Sequence, residues 1–405
     1  MENEIYWLWL QGALGYAKPV KKLINTFGDA KSIYETDSAQ LNAAHLSSFG
    51  PVIIGRVKDE DIEKYYDVYD FCRKHKIHII TPDSEYYPKR LLEIENFPLA
   101  LYVRGDYTCL DAENALGVIG SRTPSMYGEE AARTIVSQLC ENGVLIVSGG
   151  AVGIDTIAHR TAIECGGKTV LVMGCGHGSG YLPENSALRR SVAENGALVT
   201  EFPPYMNVNP GTFPQRNRII SGMTSGVVIA EAAKLSGTFS TARHAVKQGR
   251  DLFVLPGDIK SGNYEGSNQL ITEGAKPVFS AKDIIPWARI NRSTTEKTGN
   301  PFPNIDLEAS SYKKRGKKKS SDKEKTEVII ENKEKNTANI EKINMETISK
   351  NAGIVYNIMS DGVNDSDSII RESGLEVRTV LSALTELEMN GIITKVSANC
   401  YRLNQ

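Results

Sequence analysis

The sequence predicts an α/β protein with an open, doubly wound parallel sheet, a small helical domain before it and a helical module with a terminal hairpin after it. Three observations carry this. Between Ile77 and about Arg289, short β-rich runs alternate with amphipathic stretches of helical length, the pattern of βαβ units. Upstream, from Ile5 to about Arg73, apolar residues recur at helical spacing, broken by Gly15, Gly28, Gly50 and Pro51. Downstream, a polar stretch after Asn291 separates the sheet region from a last periodic segment that starts near Thr347.

Taken in order, residues 1–75 read as several short helices packed as a domain of the SAM or helix-hairpin-helix type. The Phe49-Gly50-Pro51 turn is the only hint of a phosphate contact there, and plain helical packing is the better account. Residues 76–290 form the sheet domain. Its clearest strands are Ala115–Ile119, Val144–Val147, Thr169–Met173, Ala197–Thr200, Gly226–Ile229 and Asp251–Leu255. Such continuous apolar runs suit parallel strands covered on both faces. Tyr127–Glu141, Ile154–Glu164 and Thr238–Gln248 have the length of crossover helices. Together these describe an extended Rossmann-like sheet.

Residues 291–345 are polar and carry Lys313, Lys314, Arg315, Lys317, Lys318 and Lys319. They cannot bury a core, so a disordered charged linker is expected, with an auxiliary phosphate-binding arm as the less favoured account. Residues 346–405 read helix, helix, helix, hairpin: Ser349–Ser360, Ser366–Glu372, Val377–Asn390, then Ile392–Val396 and Cys400–Leu403. That order is a winged helix, with Asp365 and Ser366 as caps and Gly391 as a stop. Its third helix carries chiefly Arg378 among Glu376, Glu386 and Glu388, and the wing adds only Lys395 and Arg402. So acidic a surface fits a protein-contact module at least as well as a reader of duplex DNA.

A formal net charge of -2 means that any affinity for nucleic acid must come from a local basic surface. The six cysteines, Cys72, Cys109, Cys140, Cys165, Cys175 and Cys400, form no Cys-x-x-Cys pair and have no histidine at metal-ligand spacing. Reduced thiols and no metal are expected. No apolar run reaches the roughly 20 residues of a membrane span, and Tyr6–Leu10 lacks the basic flank of a signal peptide. A cytoplasmic protein without membrane contact is the expectation.

The chemistry concentrates in four segments of the sheet domain, at the strand ends where open α/β sheets bind ligands. Gly120-Ser121-Arg122 follows the strand Ala115–Ile119; the glycine allows close approach and Arg122 can hold a phosphate with two donors. Ser148-Gly149-Gly150 opens a second loop shaped as a phosphate cradle before the helix that bears His159, a residue read as structural. It is not Gly-x-Gly-x-x-Gly, and no acidic residue ends the next strand, so no dinucleotide cofactor is expected. Gly167-Lys168-Thr169 precedes a strand where a P-loop would follow one, which excludes an ATPase by order. Sequence leaves open which edge Lys168 faces. Lastly, Phe213-Pro214-Gln215-Arg216-Asn217-Arg218, expected just before a helix Ile219–Met223, joins an aromatic ring to two arginines, as a single strand requires. One of Arg216 and Arg218 is expected to pair internally with Glu201 or Glu231.

Together these segments resemble the DNA-processing protein A family, also called DprA or Smf. Tyr87-Pro88, Leu101-Tyr102 with Gly105, Ser125 with Tyr127-Gly128, Asp155 with Ala158-His159, Glu231-Ala232, Ser236-Gly237-Thr238, Pro256-Gly257 and Gly266-Ser267-Asn268 extend the likeness through the domain. The resemblance implies a core that binds single-stranded DNA, forms a homodimer and delivers RecA recombinase to the strand, guarding incoming DNA during natural transformation. It implies no catalysis. Arg122 and Lys168 match positions the family uses at its DNA pocket. His177-Gly178 with Tyr181-Leu182-Pro183 departs from the family pattern, and no contact is assigned to that loop.

Two other functions compete. A phosphoribohydrolase-like nucleotide enzyme would use Glu231 and Arg218, but its phosphate loop needs more glycines than Leu235-Ser236-Gly237-Thr238 supplies. A transcription regulator would read duplex DNA through the winged helix, whose basic content is low.

Overall fold

The structure is a computed structural model that describes residues 3–43, 57–180, 182–234, 236–285, 349–360, 365–390, 392–397 and 400–403. It forms two compact units, Met1–Lys313 and Lys314–Gln405. The expected linker at 291–345, the Phe49-Gly50-Pro51 turn, Tyr181 and the Gly391 stop lie outside the described residues.

The first unit is built on a nine-stranded sheet: β1 (His78–Ile80), β2 (Leu101–Gly105), β3 (Ala115–Ile119), β4 (Leu145–Ser148), β5 (Thr169–Val172), β6 (Gly196–Thr200), β7 (Gly226–Ile229), β8 (Asp251–Val254) and β9 (Lys276–Pro277). Their spatial order is β1-β2-β6-β5-β4-β3-β7-β8-β9. From β6 to β9 all pairings are parallel, whereas β2 joins β6 and β1 joins β2 in the antiparallel sense. Starting at β3, the chain walks outward through β4, β5 and β6, then returns to the other side of β3 as β7. The topological switch point therefore lies between β3 and β7, where an open sheet leaves a crevice at its strand ends.

Every residue of β3, β4, β5, β6 and β7 is buried, which explains their unbroken apolar sequences. Successive side chains divide between two cores. Leu116, Val118, Ile146 and Val228 pack beneath helices Met126–Glu141 and Ile154–Glu164. Ala115, Ile119, Val147, Val227 and Ile229 pack beneath helices Thr212–Gly222, Thr238–Lys247 and Glu265–Thr272. That second core also takes in Trp7, Trp9, Leu10 and Leu14 of the first helix, Asn3–Leu14. Gln11 completes the junction, donating to the Glu201 carbonyl at 2.7 Å and accepting from the Ala100 amide at 2.8 Å. The remaining amino-terminal helices are Lys21–Phe27, Ala30–Glu35, Ser38–Ala43 and Lys64–Lys74.

One expected boundary is corrected. The segment Phe213 to Arg218 is not a loop ahead of a helix; it lies inside the helix Thr212–Gly222. Pro214 misled the sequence argument, because proline breaks helix interiors yet is tolerated in a first turn, where its missing N–H has no partner to lose.

The second unit has helices Lys350–Ser360, Ser366–Ser373 and Val377–Met389, followed by antiparallel β10 (Ile393–Ser397) and β11 (Cys400–Leu403). Asp365 caps the second helix, accepting from the Ser368 amide at 2.9 Å. Val355, Met359, Ile369, Val380, Leu384 and Ile393 supply its core. This is the winged-helix order that the sequence predicts.

Candidate nucleic-acid interface

Three chain segments converge at the carboxyl-terminal edge of the parallel strands. The loop after β3 carries Gly120, Ser121 and Arg122 and ends at Ser125, whose hydroxyl caps helix Met126–Glu141 by accepting from the Gly128 amide at 3.1 Å. Glu231, fully buried just past β7, accepts from the Ser125 amide at 3.0 Å and from its hydroxyl at 2.5 Å. The carboxylate thus closes the switch-point crevice by binding the loop opposite. A helix amino terminus favours negative charge in its first turn, so the arrangement stabilises both partners.

The loop after β4 packs directly against this one. Gly153 has φ of +79°, and a Cβ there would lie 2.4 Å from the Ser121 carbonyl oxygen. Only glycine meets both conditions. At Gly149 a Cβ would strike the Asp155 carboxylate and the Arg216 guanidinium. Ser148 is buried and donates its hydroxyl to the Val118 carbonyl at 2.6 Å, so it holds the loop's base.

The three carbonyls that follow are each bound by a side chain. Gly149 takes His159 Nε2 at 2.8 Å, Gly150 takes Asn185 Nδ2 at 3.1 Å, and Ala151 takes the Thr156 hydroxyl at 2.8 Å. A carbonyl only accepts, so His159 carries a proton on Nε2, and Nδ1 lies 2.7 Å from the Thr169 hydroxyl. Burial holds this imidazole neutral, with its pKa pushed down to about 4. His159 is structural, as its surroundings in the sequence predict.

The third segment is helix Thr212–Gly222, and helical phase separates its two arginines. Residues two apart on a helix point to different faces. Arg218 runs into the core and meets Glu201 at 2.5 Å, both about 1% exposed. Arg216 faces the loops instead: it donates to the Val172 carbonyl and lies beside Asp155. Phe213, one turn earlier, sits under Arg122, whose guanidinium carbon is 6.0 Å from the ring centroid, within cation–π range.

Arg122, Phe213, Arg216, Gly150, Gly174 and Arg189 line the resulting cleft. Its cavity is about 40 Å3, on a measure where one water needs ~10–15 Å3. It accommodates an anionic group or the edge of a ring, but not a whole nucleoside.

The predicted residues divide accordingly. Arg122, Gly150, Phe213 and Arg216 meet in the cleft, Gly120, Ser121, Ser148 and Gly149 shape its walls, and Arg218 supports it from within. Lys168 is not brought there. It precedes β5 at the opposite edge of the sheet and pairs with Asp106 at 2.5 Å. The cleft also takes in Gly174, Cys175, Gly176 and His177 after β5, a glycine run to which the sequence argument assigned no contact, and Arg189 from helix Ser186–Asn195, which it missed. The glycine-rich run after β5 signalled a strand-end loop; nothing in the sequence marked Arg189. Among the described residues there is no cluster of three histidine, cysteine or acidic side chains able to hold a metal. No described helix is long and apolar enough to cross a membrane.

Comparison with known proteins follows the same division. Residues 78–288 match the family described as DNA recombination-mediator protein A, and residues 346–399 match the DprA winged helix domain. Protein Smf of Escherichia coli (strain K12) is 42% identical over 209 residues, which cover 51% of this chain and 56% of Smf. The match therefore spans little more than half of that relative. DNA processing protein DprA of Bacillus subtilis (strain 168) is 36% identical over 229 residues, 56% of this chain and 77% of that protein. The X-ray structure of DprA from Streptococcus pneumoniae superposes with a TM-score of 0.60 at 30% identity, covering 70% of this chain and 97% of that one.

Proposed function

Because the chain belongs to the DNA recombination-mediator protein A family, we propose that it binds single-stranded DNA at the cleft formed by the loops after β3, β4 and β5 and acts by binding, not by catalysis. The observation that carries this is the convergence of Arg122, Phe213 and Arg216 in one small concavity. The exposed Arg122 guanidinium supplies charge for the sugar-phosphate backbone, the buried Arg216, beside Asp155, holds the floor of the cleft, and an aromatic face supplies a stacking surface that tolerates any base. The glycine wall supports the same reading, since each of its carbonyls already accepts a side-chain donor, from His159, Asn185 or Thr156, and Asp155 is matched by Arg216.

Beyond binding, the proposed role is to load RecA recombinase onto the bound strand and protect incoming DNA during natural transformation, as a cytoplasmic homodimer. Gly120, Ser121, Arg122, Ser148, Gly149, Gly150, Phe213 and Arg216 form or frame the binding site, with Arg218 as an internal support. Lys168 enters only if the strand reaches the far edge of the sheet.

The rival phosphoribohydrolase reading is disfavoured by Glu231, which is fully buried and bound to Ser125. Competition binding tests the proposal. Oligothymidine should displace a labelled single strand at lower concentration than a duplex of equal length; tighter binding to the duplex would shift the function to the winged helix. Release of free base from a nucleoside monophosphate, abolished by Glu231→Gln, would establish the enzyme instead.

A further inference from the structure

A second concavity adjoins the cleft and shares Met173, His177 and Arg189 with it. It runs between helix Ser186–Asn195 and the antiparallel strands β1 and β2, and holds about 560 Å3 against about 40 Å3 for the cleft. Its lining carries the positive side chains Lys76, Arg104, Arg189 and Arg190, with Glu194 as the one carboxylate. None of Arg104, Arg190 and Lys76 has a side-chain hydrogen bond or ion pair among the described residues, so the groove's cations outnumber its single carboxylate and are not locked to it.

Aromatic rings border the same groove. His75 lies 4.1 Å from Phe71, which in turn lies 4.5 Å from Tyr205, a ring 67% exposed. His78, on the adjoining strand, lies 4.4 Å from Tyr107. Charge interleaved with exposed rings, in a space wide enough for nucleotides, is the composition of a single-strand track.

Resting on the single-strand reading of the cleft, we infer that this groove takes the nucleotides that continue from it. The cleft anchors one backbone position and is too small for its neighbours. The strand then passes Arg189 into the groove, with phosphates on Arg104, Arg190 and Lys76 and bases against His75 and His78. The groove reaches Gly105, the residue before Asp106, whose carboxylate holds Lys168.

The test uses the full chain, oligothymidines of roughly 4–16 nucleotides, the range of single-strand site sizes, and the salt dependence of binding. Each phosphate contact contributes about 0.7 to the slope on a single strand. Arg104→Ala/Arg190→Ala should lower the slope by about 1.4 on the longest oligothymidine and flatten the gain in affinity with length. Arg104→Lys/Arg190→Lys should keep both near wild type, which separates lost charge from lost folding. If the alanine pair leaves slope and length dependence unchanged while Arg122→Ala reduces the slope, the groove is overturned and the cleft stands. If neither variant alters the slope, both readings fall.

Discussion

The sheet edge and the carboxyl-terminal module are two candidate surfaces for nucleic acid, and they are built on opposite plans. The sheet edge is concave and gathers arginines from separate elements: Arg122 from a loop, Arg216 and Arg189 from two helices. The module's third helix, Val377–Met389, is convex and leaves Val377 and Leu381 exposed, with Glu376 and Glu388 also in solvent. Glu386 of the same helix turns back to bind the Ser349 amide and hydroxyl at 2.6 and 2.7 Å. Concavity adds cations whose fields overlap, whereas a convex helix with apolar and acidic residues repels a phosphate chain and suits a protein partner. A fold able to enter a major groove is therefore not evidence that it does so.

The contrast can be tested at several strengths. The largest effect is expected from Arg218→Ala, which strands the Glu201 carboxylate in the core. Breaking a buried ion pair costs about 3–5 kcal/mol, so thermal unfolding of the sheet unit should move down sharply while that of the carboxyl-terminal unit stays in place. A drop in both transitions would mean that the two units depend on each other for stability.

Acid should discriminate between the units next. His159 is held neutral with its pKa at about 4, below the ~6.5 of a free imidazole. The unfolded chain then binds the extra proton, so His159 contributes its full stability above pH ~6.5, loses it as pH falls, and contributes nothing more to the slope below about 4. The loss from this one group is on the order of 3 kcal/mol over the whole window and about 2 kcal/mol between pH 7 and pH 5. All six histidines precede the carboxyl-terminal unit, so no imidazole contributes to its stability, which should change less between pH 7 and pH 5. Unfolding curves at pH 7 and pH 5 check this.

A smaller effect belongs to binding. Arg122→Ala should weaken the grip on oligothymidine by about 1.5–3 kcal/mol, the scale of a charged hydrogen bond, and reduce the salt slope by about 0.7. The smallest belongs to Leu381→Ala on the exposed face of the module's third helix, which should change single-strand affinity by less than about 0.5 kcal/mol, as surface substitutions away from a site do. Anisotropy titrations at two salt concentrations cover both variants. Equal losses from the two would erase the distinction between concave and convex surfaces.

Much of this was legible in the sequence, for reasons that can be traced to particular residues. Ala115–Ile119 and Gly226–Ile229 are buried on both faces, so their apolar runs marked central parallel strands with correct ends. The paired arginine of the 213–218 segment was foreseen, but not which one, because choosing between Arg216 and Arg218 requires the phase of a helix whose start Pro214 obscured. The strands β1 and β2 went unnoticed because both pair in the antiparallel sense outside the repeating βαβ pattern, and β1 has only three residues. Arg189 was invisible for a different reason: it joins the cleft only through the packing of helix Ser186–Asn195 beside β5, a contact without a local signature. Lys168 shows the limit of motif matching, since a residue can hold the expected place in a pattern and still stand at the other end of the sheet.

The inward-turned carbonyls of Gly149, Gly150 and Ala151 have a consequence for ionic conditions. Magnesium demands near-octahedral oxygen coordination and gives up its waters reluctantly, and this wall keeps its oxygens for His159, Asn185 and Thr156. The proposed grip on a strand then does not run through a divalent bridge at these three oxygens, and chelators should leave the complex intact.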